Sequence, residues 1–83
     1  MNVEDVLTQS VNQFSAGFAK AALALVTRAL ECKQDTRMHR MAATYACAGH
    51  DPESAQRYMS LLPAAFRASI MQRCQMEGIA LRP

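Results

Sequence analysis

Three cysteines and two histidines are the residues of this 83-residue chain whose chemistry could reach beyond packing. Cys47 and His50 stand as a Cys-x2-His pair, and Cys32 with His39 makes a looser one. A structural zinc site takes four such ligands, normally from two close pairs. One close pair falls short, so the cysteines read as small buried apolar residues, and His39 and His50 as exposed or capping side chains. Cysteine–histidine nucleophilic chemistry would need a local motif that brings the two together, and none is present. The three glycines are scattered singly at turns and form no phosphate-binding loop. The seven carboxylates sit mostly near predicted helix ends, where the helix dipole accounts for them. No catalytic residue, metal ligand or cofactor is assigned, and the expectation is a protein that is not an enzyme. Met38, Met41 and Met59 read as core filler, although a methionine set can also make an adaptable binding surface.

The totals restrict the partners. A net charge of +2, with arginines spread from Arg28 to Arg82, gives no basic stripe of the kind nucleic-acid binding calls for. The longest apolar run, residues 21–26, is far short of the roughly 18 residues of a membrane span. The acidic start MNVEDVL lacks the basic region of a signal peptide. An odd number of cysteines without framework spacing implies unpaired thiols and a reducing, cytoplasmic setting.

The elements are helical. Fifteen alanines, no tryptophan and few β-branched residues favour closely packed helices over strands, in a single domain spanning residues 1–83. Asn2, with Asp5 three residues on, caps a first helix over residues 3–14. A second runs over residues 18–33, with one stripe of Phe18, Ala22, Leu25 and Ala29 and another of Leu23, Val26 and Leu30. Apolar on two sides, it must lie between neighbours. Asp35 or Thr36 caps a third helix, in which Met38, Met41, Ala42 and Tyr45 fall on one face. Gly49, Asp51 and Pro52 mark a turn into a fourth, with Ala55, Tyr58, Met59 and Leu62 as its stripe. Pro63 separates this from a fifth helix carrying Phe66, Ile70 and Cys74, which ends at a left-handed Gly78 with Ile79 folding back.

The third and fourth helices resemble a tetratricopeptide (TPR) repeat. Large, large, small and aromatic residues stand as Met38-x2-Met41-Ala42-x2-Tyr45, followed by Gly49 and a small residue, Ala55, in the second helix. Gly17-Phe18-x2-Ala21 corresponds to the same turn one repeat earlier, and Ala21 and Ala55 are 34 residues apart, the period of that family. The resemblance implies an all-α fold of two TPR-like antiparallel helical hairpins plus a fifth closing helix.

It also implies a function. TPR proteins bind partners in a groove lined by the first helix of each hairpin. By position, this partner-binding groove shows Val6, Ser10 and Gln13, then His39, Ala43, Ala46 and Cys47. That stretch of the third helix lacks the lysine and asparagine of the carboxylate-gripping TPR class. A floor of small residues suits an amphipathic partner helix, because backbones can approach closely. The chain further resembles the small TPR-like chaperones of bacterial type III secretion, which hold a needle subunit in the cytoplasm alongside a second chaperone. The expectation is thus a non-enzymatic protein-binding module or chaperone acting in a hetero-oligomer. The competing expectations are a small cysteine-dependent redox or metal-binding helical protein, and a structural subunit that self-assembles through its helix ends.

Overall fold

The computed structural model describes all 83 residues and contains five helices and no strand: α1 (Val3–Ser15), α2 (Ala19–Leu30), α3 (Thr36–Ala48), α4 (Pro52–Ser60) and α5 (Ala64–Met76). The boundaries follow from local chemistry. The Asn2 side chain accepts the Asp5 N–H at 3.2 Å and Asp35 accepts that of Met38 at 2.8 Å. Asp51 accepts both the N–H and the hydroxyl of Ser54, at 3.1 and 2.8 Å. Each satisfies a donor that the first helical turn leaves without an internal partner. Helices α2 and α5 start without a side-chain cap. Helix α2 also stops at Leu30, three residues before the expected Lys33.

Three helices end in the same motif. Gly17 after α1, His50 after α3 and Gly78 after α5 all have positive φ. The next residue's N–H reaches back five positions, Phe18 to Gln13, Asp51 to Ala46 and Ile79 to Cys74. This is the Schellman arrangement, for which glycine is the usual residue. In the turn after α3 the left-handed residue is His50, while Gly49 keeps a negative φ. Gly49 serves a different need: a Cβ there would sit 3.1 Å from the Tyr45 carbonyl and 3.3 Å from Lys20 Cγ. Its missing side chain lets the start of α2 lie against the end of α3.

The helices form two antiparallel hairpins, α1–α2 and α3–α4, with α2 also packed on α3. Glu4 with Arg37 at one end and Phe14 against Tyr45 at the other show that α1 and α3 run parallel. Phe66 beside Arg40 and Cys74 bonded to Cys47 show the same for α3 and α5. Helices α1, α3 and α5 thus make one layer, and α2 and α4 the other. Helix α5 packs mainly on α3 and touches α4 much less. Corresponding helices start 33 residues apart, Val3 with Thr36 and Ala19 with Pro52. Burial repeats at that interval too: Ala22, Val26 and Ala29 match Ala55, Met59 and Leu62. Ala21 is exposed, so the buried small residue of the first repeat is Ala22 and the expected 34-residue period shortens by one. Phe18, expected in the apolar stripe of α2, precedes the helix and is 61% exposed.

The cap carboxyls of Asp35 and Asp51 lie below the ordinary aspartate value, chiefly because each accepts a backbone N–H, from Met38 and Ser54. A depressed folded value contributes stability that is complete above the unfolded value and disappears as pH falls through the folded one. The melting temperature should therefore hold steady from neutral pH to about pH 5 and fall below about pH 4. The Asp35→Asn/Asp51→Asn variant keeps capping oxygens that do not ionise, so its fall should be shallower. Circular dichroism melts across that range measure both.

Candidate interaction groove

The seven residues expected to line a groove do not share an open face. Val6, Ser10, Ala43, Ala46 and Cys47 are buried, His39 is half-buried, and only Gln13 is exposed. For Ala43 and Cys47 the physical reason is α5. With Phe66 beside Arg40 and Cys74 bonded to Cys47, α5 lies along the side of α3 that carries Ala43, which puts Ile70 level with it. His39 turns the other way and stacks on Tyr58 of α4, ring centres 6.4 Å apart. On α1, Ser10 is enclosed, its hydroxyl donating to the Leu7 carbonyl at 2.6 Å. Burial raises the Tyr45 phenol above its ordinary value, and a hydrogen bond with Ser10 pulls it partly back.

The open face of the α1–α3–α5 layer lies about one residue round each helix from the expected one, a rotation of roughly 100°. On α1 the stripe Glu4, Leu7, Val11 and Phe14 faces α3, and Val11 is 46% exposed. On this side of α3 Arg37 and Arg40 are exposed, and Met41 and Thr44 are half-buried. Two shallow hollows of about 240 and 290 Å³ flank this side of α3, and both are bordered by Arg40 and Thr44. Together they form one trough, with Arg73 and Met76 on its α5 side.

The arginines of this trough differ in how they are held. Arg37 grips Glu4 through two N–H groups, at 2.8 and 3.2 Å. That bond holds the Glu4 carboxyl below its ordinary value and raises Arg37. Arg40 and Arg73 face aromatic rings instead. The Arg40 guanidinium lies 4.4 Å from the centre of the Phe66 ring, and that of Arg73 lies 5.6 Å from Phe14. Neither pairs with a carboxylate. Stacking fixes a guanidinium without cancelling its charge, so both keep donors free for an anionic group. The spacing of apolar positions could not reveal this, because Phe66 and Phe14 come from helices far apart in sequence. A larger hollow of about 550 Å³ lies between α2 and the start of α4, and most of the residues around it are polar or charged, among them Lys20, Thr27, His50, Asp51 and Glu53.

The cysteines also differ from expectation. Cys47 and Cys74, both without accessible surface, form a disulfide across α3 and α5, and only Cys32 is free. Two of the three thiols whose unpaired state implied a reducing, cytoplasmic setting are thus paired. No helix is long and apolar enough to cross a membrane. No three His, Cys, Asp or Glu side chains cluster in a way that could hold a metal ion. No family model matches the chain, and neither a curated protein nor a solved structure is significantly similar to it.

Two substitutions separate the buried from the open side of α3. Ala43→Glu forces an unpaired carboxylate under α5, at several kcal/mol, comparable to the whole stability of so small a core. It should abolish the cooperative melt. Thr44→Glu, one residue on, should stay within about 0.5 kcal/mol of wild type. Thermal melts in parallel decide the register.

Proposed function

We propose that the chain is a non-enzymatic protein-binding module, a chaperone-like holder that receives an acidic amphipathic partner helix in the trough between α1, α3 and α5. The observation that carries this reading is the pair of arginines, Arg40 and Arg73, stacked on Phe66 and Phe14, with Met41 and Met76 bordering the same hollows and no carboxylate of their own. Apolar anchors with unpaired cations beside them suit a helix with leucine-like residues on one face and carboxylates along its margin. The parallel α1, α3 and α5 and the 33-residue recurrence support the TPR resemblance. A cytoplasmic hetero-oligomer in type III secretion is the setting that resemblance implies, and the disulfide is at odds with the cytoplasmic part of it, because thiols there are kept reduced.

The Cys47–Cys74 disulfide favours a second reading, a cysteine-dependent redox protein. Reactive cysteines sit in partly exposed, electropositive surroundings. Both sulfurs here are enclosed, which supports a constraint on structure over a turnover catalyst.

A synthetic helical peptide of about 15 residues, with leucines at i, i+3, i+4 and i+7 and glutamates elsewhere, provides the test. It should bind the wild-type chain, and binding should weaken as salt is raised. Arg40→Glu and Arg73→Glu should each lower affinity about tenfold, or 1.4 kcal/mol, with the melting temperature little changed. The same peptide with lysines in place of glutamates should not bind. Equal affinity of both peptides, or of wild type and both variants, would sink the reading.

A further inference from the structure

Helix α5 is held lightly for an element that completes a binding surface. Of its 13 residues only Ile70 and Cys74 are buried, and its first turn has no side-chain cap. Apart from the disulfide and the buried Ile70, its ties are the partly buried Phe66 and Met71, the Arg67 bonds to the Leu62 and Ser60 carbonyls at 2.8 and 3.5 Å, the contact of Glu77 at its end with His50 at 3.2 Å, and the two stacked arginines. Yet α5 supplies Arg73, one of the two free cations of the trough, and Ile70 and Met76 beside it. The disulfide between two enclosed sulfurs is thus the one covalent tie of a wall otherwise held by a few small contacts.

The geometry points to the Cys47–Cys74 bond as a reversible redox site: a dithiol reductant opens it, α5 lifts from α3, and the trough loses its second arginine and its grip on a partner. The inference rests on the trough being the binding surface. In the first step a thiolate of the dithiol attacks one cysteine Sγ, forms a mixed disulfide with it and expels the other as a thiolate. The second thiolate of the dithiol then displaces the remaining cysteine, and the dithiol leaves as its own disulfide. Two electrons pass to the pair, and the two protons of the dithiol end on Cys47 and Cys74. Because both sulfurs are enclosed, the first attack waits on a local opening of α5. Reduction and release of the helix are therefore two sides of one event. Once the bond is gone, Ile70 is the one buried apolar anchor left besides the Cys74 thiol.

Hydrogen exchange read by mass spectrometry tests this on the full chain carrying Cys32→Ser, which leaves the pair as the only source of thiols. On reduction with dithiothreitol, amides of residues 64–76 should exchange about tenfold faster or more, while those of α1 and α2 change less than about twofold. The acidic peptide should bind the reduced form about tenfold more weakly. The Cys47→Ala/Cys74→Ala variant, with no reductant present, should match the reduced protein in both readouts. Unchanged protection of α5 would overturn the proposal. So would equal loss of protection in all five helices, which would make the bond a plain structural staple, and so would loosened α5 with unaltered peptide affinity. Should α5 loosen while the peptide binds neither form, the redox release of the helix stands and the binding reading falls.

Discussion

The structure depends on how closely its neighbours can approach α3. Ala42, Ala43, Ala46 and Cys47 are all without accessible surface, and around them lie α2, α4 and α5. Helix axes usually stand 8–10 Å apart, and the smallest side chains give the shortest distances. With three neighbours drawn in this tightly, α3 keeps one open stripe, Arg37, Arg40, Met41 and Thr44. The location of the candidate groove is thus a remainder, the part of α3 that small residues did not commit to packing.

That economy has a cost in buried area. The first hairpin contributes Leu7, Leu23, Val26 and Leu30, but the α3–α5 contact is made by Ala43, Ile70 and two cysteines. A chain of this size seldom gains more than about 3–5 kcal/mol from its core. Closing a loop of 27 residues by a disulfide is worth about 3–4 kcal/mol in the chain-entropy account. The two quantities are of one size, so the bond offsets the thin apolar contact between α3 and α5.

Much of the fold was legible because it is written locally. Asn2, Asp35, Asp51, Pro52, Pro63 and Gly78 each act within a few residues of their own position, and the five helices follow from them. What involved more than one element was not legible. The left-handed residue after α3 is His50, since Gly49 is committed to the approach of Lys20 from another helix. Ala43 and Ala46 carry no sign of burial in their own spacing; the burial of Ala43 comes from α5 docking on α3. The pairing of Cys47 with Cys74 likewise required knowing that α3 and α5 run parallel, with Phe66 level with Arg40. The expected groove was therefore rotated by about one residue on α1 and α3 alike.

The two free arginines are not equivalent in what fixes them. The backbone of Arg40 belongs to α3, the most enclosed helix, although its guanidinium rests on Phe66 of α5. Arg73 belongs to α5, immediately before Cys74, and reaches across the layer to Phe14 of α1. Stacking of this kind is worth about 0.5–1 kcal/mol at an exposed site, too little to hold a helix by itself. The spacing between the two cations is therefore set by the covalent bond next to Arg73 more than by the ring beneath it. A partner that places carboxylates against both would sense that bond directly, since any tilt of α5 moves Arg73 and also draws Phe66 from beneath Arg40.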